Sequence, residues 1–359
     1  MQRVNAREFP DPRPGVTARD DASLPGPLCV TFRIVSLLLF GLSLLLTSSS
    51  RGQVPDSSLV LRFGGDCLLA GHYERAAWDD PGRAFRGFEL FHSADVAMVN
   101  LECPVTTRGE AVPKPYNFRM HPRFLQPLRD AGVTVLNLAN NHMFDYGEVG
   151  FFDTIHHIDS AGFARVGAGR NGQEAHRPYI FEKSGTRVGI LAYYQGGEAP
   201  DATDSSSGVA SRRLPLIKRD IRWLKSRDSV DFIVVHFHWG HEKADTPDVD
   251  QMWFAHRVID YGADLIVGDH VHVLQGIERY RKGVVVYSLG NLIFGGNRRH
   301  SYDTAVFEVR LTRAGPEYRV IPVGVRRWQA RVLDESQGRA VLERIRELSG
   351  MFPETITFN

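Results

Sequence analysis

The chain has 359 residues, with 43 Lys plus Arg against 42 Asp plus Glu and a formal net charge of +1, which excludes gripping nucleic acid through a general basic excess. A hydrophobic fraction of 43% excludes wholesale disorder, and three cysteines (Cys29, Cys67, Cys103) are too few for a disulfide scaffold. The one oddity is the 14 histidines, seven of which (His236, His238, His241, His256, His270, His272, His300) fall between residues 236 and 300.

Residues 1–27, with DPRPG and LPGP, have the composition of a disordered lead. From Ile34 to Leu46 the sequence IVSLLLFGLSLLL is uncharged; Arg33 precedes it and TSSSRGQVPDSS follows. A basic flank, a short apolar core and a small polar exit predict a secretory signal. The run from Leu28 to Leu46 is also long enough for an uncleaved anchor if Arg33 snorkels. Residues 1–57 are therefore assigned to the lead and signal peptide or membrane anchor, and 58–335 to one domain. Residues 336–359 are its closing helix and tail. The expected location is extracytoplasmic, membrane-anchored or secreted.

Beyond Ser58, β-rich runs alternate with amphipathic ones. SLVLRFGGD (58–66), ADVAMVNLE (94–102) and VTVLNLANNH (133–142) read as strands running into loops. A helical stripe at Phe124, Leu125 and Leu128 has Pro122 suited to its first turn, and Gly147 to Ala161 is helical. RVGILAYY (187–194) and DFIVVHFHWG (231–240) are strands flanking a helix around 216–225. A helix at 249–261, a strand at ADLIVGDH (263–270) and a strand at GVVVYSLGN (283–291) follow. Nearly continuous apolar strands alternating with helices predict βαβ units covered on both faces. DTAVFEVRLT and EYRVIPVGVRR instead alternate apolar with polar about Ala314-Gly315-Pro316 and predict an antiparallel hairpin.

Chemistry-bearing residues recur where strands end: Asp66, Glu102, Asn141 with His142, His238, and His270 with His272. Loops at the carboxyl ends of parallel strands converge on one crevice. Carboxylate, amide and imidazole donors together suit a divalent first-row metal, or two sharing a carboxylate. A strand period of two is expected to send both imidazoles of His270-x-His272 to one side.

In this order and spacing GGD, NLECPVT, LANNHMFDYG, HWGHE, GDHVHVLQGIE and YSLGNLIF, from about Leu59 to Gly295, resemble the bacterial capsule-synthesis CapA (PgsA) family. That family is linked to poly-γ-glutamate capsule assembly and transport and is itself similar to the calcineurin-like metallophosphoesterases. The resemblance implies an α/β fold, a four-layer αββα sandwich with a dinuclear centre of Mn, Zn, Fe or Mg. Carried over, Asp66, Glu102, Asn141, His238, His270 and His272 are metal ligands, with Glu102 in the bridging place, and His142 is the acid. One departure stands out. The phosphoesterase pattern begins Asp-x-His, whereas Asp66 is followed by Cys67 and Leu68, and His72 reaches the site only if its loop folds back.

Around this set, Asp145 either orients His142 or caps the next helix, Glu242 is either a partner of an imidazole or a solvated acid, and His236 is a core or supporting histidine. Asn291 is read as a turn residue or as lining the cavity, Arg298 and Arg299 as a solvated pair or as contacts for an anionic substrate, and Trp223, Trp239 and Trp253 as packing anchors, with Trp239 alternatively walling the cleft. For Cys67 and Cys103, a disulfide and two free thiols are both open. The implied function is capsule or cell-envelope polymer biosynthesis or transport, acting on an anionic polymer or phosphorylated intermediate. The alternatives are a non-catalytic scaffold docking a membrane-bound polymer ligase, or a plain extracytoplasmic metallophosphoesterase. No nucleic-acid partner is expected.

Overall fold

The computed structural model describes residues 58–194 and 196–358, so the expected signal or anchor segment lies outside the described residues. Among the described residues no helix is long and apolar enough to cross a membrane.

The strands in chain order are β1 (Leu59–Leu68), β2 (Val96–Leu101), β3 (Val135–Asn137), β4 (Ala164–Val166), β5 (Ala168–Gly169), β6 (Tyr179–Lys183), β7 (Thr186–Tyr194) and β8 (Gly208–Val209). They continue with β9 (Phe232–His238), β10 (Leu265–Asp269), β11 (Ile277–Tyr280), β12 (Gly283–Val286), β13 (Asn291–Phe294), β14 (Ser301–Thr312), β15 (Gly315–Arg326) and β16 (Gln329–Val332). The helices are α1 (His72–Ala76), α2 (Leu125–Asp130), α3 (Gly147–Ser160), α4 (Gly172–Ala175), α5 (Leu214–Ser226), α6 (Val249–Tyr261) and α7 (Glu335–Ser349).

One sheet has the order β16-β15-β14-β1-β2-β3-β4, with β13 also pairing to β1; the other has the order β11-β12-β10-β9-β7-β6. Strands β1 to β4 are mutually parallel, as are β7, β9, β10 and β12. Alternation along β9 shows how the layers form. Phe232 and Val234 join the apolar cluster shared with the first sheet, while Ile233, Val235 and Phe237 pack with Ile217, Ile221 and Leu224 of α5 and Phe254 and Val258 of α6. The period of two then turns His236 and His238 toward the space between the sheets. Phe151, Ile155 and Ile158 of α3 pack against the first sheet. The result is the expected four-layer sandwich of helices, sheet, sheet and helices.

Helix α6 has the boundaries expected from sequence because its ends are built in. Asp248 and Gln251 form a reciprocal capping box, and Gly262 closes the helix at φ 114°. The C-terminal hairpin is also present as β14 and β15, joined to β1 antiparallel. Its turn is Arg313-Ala314, with Thr312 paired to Gly315, so Gly315 and Pro316 already belong to the strand.

The run 283–291 is not one strand. It stops at Val286, leaves the second sheet, and restarts at Asn291 as β13 beside β1. The crossing requires glycine. The Asp66 amide donates to the Gly290 carbonyl at 2.9 Å, and a Cβ on Gly65 would lie 1.8 Å from that oxygen. The GGD motif therefore lets one strand carry an acid while another chain segment passes against its backbone.

Candidate metal centre

Parallel strands of both sheets end at one place. Asp66 lies near the end of β1, Glu102 follows β2, Asn141 and His142 follow β3, His238 ends β9, and His270 follows β10. Asp66 is fully buried, and its carboxylate receives Asn100 Nδ2 at 2.8 Å and the His270 amide at 3.3 Å; His272 Nδ1 lies 3.0 Å away. Glu102 is also fully buried, and neither of its oxygens accepts a hydrogen bond from the described residues. Its Oε1 lies 3.6 Å from His272 Nε2 and 3.9 Å from both His142 Nε2 and His238 Nε2. His238 Nε2 meets Asn141 Oδ1 at 2.9 Å and His270 Nδ1 at 3.0 Å.

Among the described residues, two groups of three donors are compact enough to hold a cation: Glu102, His238 and His270, and Asp66, Glu102 and His272. The donors of each group lie within 4.8 Å of one another, and Glu102 belongs to both. A buried carboxylate without a donor is costly unless a cation or a proton satisfies it. The mixture of carboxylate and imidazole suits a divalent transition metal. The residues present therefore fit such an ion.

Burial and neighbouring charge shift the carboxyls and imidazoles of the cluster in different directions. Burial, reinforced by the Asp66 charge, pushes the Glu102 carboxyl well above its usual range. Burial also opposes ionisation of Asp66, but the hydrogen bond and charge of His272 outweigh it and hold that carboxyl low. His238 and His270 are pushed down by burial and by neighbouring imidazoles. His272 is raised, because contact with Asp66 overcomes its burial.

His142 stands slightly apart. Asp145 Oδ2 contacts its Nδ1 at 2.8 Å and accepts the Phe118 amide at 2.6 Å. Lys114 Nζ lies 2.5 Å from Asp145 Oδ1 and donates to the Asn141 carbonyl at 2.9 Å. Asp145 therefore orients the histidine. The α3 amides have no side-chain cap at Tyr146.

All seven residues singled out from the strand-end motifs thus gather in one region, but one reason for expecting it fails. His270 and His272 are not on a strand: β10 stops at Asp269, and the two residues adopt φ 96° and 62°. Their convergence comes from left-handed backbone, which non-glycine residues seldom adopt outside constrained sites. His236 is a supporting residue, buried with Nε2 2.8 Å from Asp269 Oδ2 and pushed down by burial to about 4. Glu242 is exposed and makes no hydrogen bond among the described contacts; its charge raises His272. His72 begins α1 and belongs to neither donor group.

Some of these expectations are corrected and the open ones resolved. Asn291 is no turn residue: it opens β13, pairs in register with Asp66, and its Oδ1 meets His272 Nδ1 at 2.9 Å. Arg299 lines a cavity of about 300 Å³ beside His272, together with Lys243 and Arg344. Cys67 and Cys103 are buried free thiols, raised by burial. Trp239 does pack, stacked 4.7 Å from Phe237, but Trp223 and Trp253 are 56% and 47% exposed.

Sequence reasoning missed Asn100, Asn137, Asn140, Lys114 and Asp269. Asn137 Nδ2 and Asn140 Nδ2 both donate to Asn100 Oδ1, at 2.9 and 3.1 Å, while Asn100 Nδ2 serves Asp66 and lies 3.2 Å from His238 Nδ1. The available signal was Asn100 and Asn137, each inside an otherwise apolar strand, with NxxNN running on past the second of them.

A buried cluster of carboxylates, amides and imidazoles at the strand ends of a four-layer α/β sandwich defines the class: a sandwich protein with a candidate metal centre between its sheets. The chain belongs to the bacterial capsule synthesis protein PGA_cap family, which its sequence matches over residues 60–296. It is 36% identical over 194 residues to the capsule biosynthesis protein CapA of Bacillus anthracis, covering 53% of this chain and 47% of that protein. This chain thus spans about half the length of that relative. It is 30% identical over 282 residues to the PGA biosynthesis protein CapA of Bacillus subtilis, covering 75% of this chain and 72% of that protein. Among solved structures, a hypothetical protein from Thermus thermophilus aligns with a TM-score of 0.48 and 15% identity over 75% of this chain and 100% of that one. A 5'-nucleotidase precursor from the same organism gives 0.47 and 16% over 81% and 59%.

Proposed function

We propose that the chain is an exported accessory protein of poly-glutamate-type capsule or envelope polymer synthesis, whose metal centre holds an anionic or phosphorylated group of its substrate. The observation that carries the metal is Glu102: a fully buried carboxylate with no hydrogen-bond donor, shared by two compact donor groups. Asp66, Glu102 and His272 would hold one divalent ion, and Glu102, His238 and His270, supported by Asn141, the other. When bound, such ions supply Lewis acidity and lower the pKa of water. His142, held by Asp145, presents Nε2 toward the centre and gives a proton to a leaving oxygen. Lys114, 2.5 Å from Asp145 Oδ1, holds that carboxylate in place, so the ring stays in one orientation. Lys243 and Arg299 supply positive charge in the adjoining cavity for the rest of an anionic substrate.

The test is elemental analysis of protein loaded with Mn or Zn, with His238→Ala and His272→Ala alongside. Near-stoichiometric metal that falls in both variants supports the centre; background metal in the unmodified chain removes it. Protease protection in whole cells tests export.

A second reading is favoured by one observation. Leu68 occupies the place of the imidazole in the Asp-x-His pattern and is fully buried in the apolar core. One ion is then held by fewer ligands, as in a scaffold that binds metal and docks a membrane-bound polymer ligase without hydrolysis. Hydrolysis of a generic phosphodiester by the loaded protein distinguishes the two: turnover above buffer removes the scaffold reading.

A further inference from the structure

A second cavity, of about 480 Å³, opens among α4, the segment leading into β6, the loop before β8 and α5. It shares no lining residue with the metal-donor groups. Its floor is an organised polar cluster. Asp220 Oδ2 meets His176 Nδ1 at 2.7 Å and accepts the Tyr193 hydroxyl at 2.9 Å, while Oδ1 accepts Arg219 Nε at 2.9 Å. The Asp220 charge is thereby satisfied within the protein. His176 is only 8% exposed, and its ring is fixed through Nδ1. Its Nε2 has no partner among the described residues, although the residue lines the cavity.

The walls are unlike those of a packing defect. Trp223 is 56% exposed on α5, with the Arg227 guanidinium 5.6 Å from its ring centroid. Arg177 and Gln173 are exposed, and their side chains make no hydrogen bond or ion pair among the described residues. Asp204 adds an acceptor. An aromatic platform, fixed donors and an acceptor around a concavity suit a ring bearing hydroxyl groups, whose C–H face lies on the indole. Arg177, with no ion pair among the described residues, selects an anionic substituent on that ring, and Arg219 keeps only Nη1 for it because its Nε and Nη2 both contact Asp220 Oδ1.

We infer that this cavity is a second ligand site, for an anionic sugar unit such as a sugar phosphate or a uronate. The sugar ring lies against Trp223, its anionic group meets Arg177 and Arg219, and its hydroxyls meet His176 Nε2, Gln173 and Asp204. The inference is independent of the metal centre.

The test is calorimetric titration of the full-length chain in detergent and chelator with glucose 1-phosphate, with glucose and inorganic phosphate as separate probes. Glucose 1-phosphate is expected to bind saturably, and each half alone about tenfold or more weaker. Arg177→Ala and Trp223→Ala, both at exposed positions, are expected to lose about tenfold in affinity with an unchanged melting temperature. His238→Ala is expected to bind as the unmodified chain does. Equal binding of phosphate alone would reduce the cavity to a plain anion site. Absence of binding, binding indifferent to Arg177 and Trp223, or binding lost with His238 would each overturn the assignment.

Discussion

The Asn100 amide nitrogen lies 3.2 Å from His238 Nδ1, so a side chain of the eight-stranded sheet sets the ring of a histidine on the six-stranded sheet. The same nitrogen donates to Asp66 at 2.8 Å, and Asn100 Oδ1 is held by Asn137 and Asn140. A fixed amide thus orients one donor of each metal group. Partners of this kind set affinity without touching the ion, and Asn100→Ala is expected to weaken metal binding by about 10- to 100-fold. Competition with a chelator measures it. Unchanged affinity in a variant that still folds would remove Asn100 from the centre.

Gly65 is the next position where one atom decides the site. An added Cβ would sit 1.8 Å from the Gly290 oxygen, a backbone atom that cannot rotate away. Relief requires moving β13 off β1, which breaks the Asp66 amide bond to Gly290 and displaces Asn291 from His272. Gly65→Ala is expected to cost about 3 kcal/mol or more in chemical denaturation, and metal binding should fall with it. Gly185 has φ 80° but nothing near its missing Cβ; Gly185→Ala is expected to cost only about 1 kcal/mol from backbone strain. Equal losses at the two positions would contradict the close-approach explanation.

Much of this architecture is legible in the sequence because strand ends in parallel sheets converge by topology alone. Asp66, Glu102, His142 and His238 needed only that rule. Other parts depend on features with no local signature. Lys114 comes from an irregular loop, and its link to Asp145 exists only once the chain has folded. Asp269 carries no signal of its own in GDH, yet it is fully buried against His236 and pushed well above its usual range by burial. Asn291 was misread because SLGN looks like a turn, and half of that reading holds: Gly290 does turn, at φ 68°, and the next residue starts a strand.

Acid sensitivity should be visible outside the centre. Asp153 on α3 is held below the usual aspartate range by hydrogen bonds from Arg108, whose Nε donates at 3.0 Å, with a further bond from Thr106 at 2.6 Å. A depressed folded-state pKa means that the contribution is present above the unfolded value of 3.8 and is lost as pH falls through the folded one. Asp153→Asn should lower the urea midpoint at pH 6, and the gap from the unmodified chain should close as pH drops below about 4. A gap independent of pH would assign the loss to packing and not to charge.

Arg62 and Glu308 face each other in register across β1 and β14, 2.6 Å apart and 7% and 5% exposed. Arg62 also donates to Ser93 Oγ at 2.6 Å and to the Leu90 carbonyl, so the guanidinium is fully engaged. Removing one partner leaves a buried charge without its counterpart, and Glu308→Ala is expected to cost about 3–5 kcal/mol. Removing both is different, because the desolvation penalty of each ion disappears together with their attraction. Arg62→Met with Glu308→Leu is therefore expected to recover most of that loss, less about 1 kcal/mol for the bonds to Ser93 and Leu90. A double-mutant cycle in urea measures the coupling directly. If the double variant is as unstable as Glu308→Ala, the pair is held by its packing and not by its charges, and the edge where the C-terminal hairpin joins β1 owes its register to apolar contacts alone.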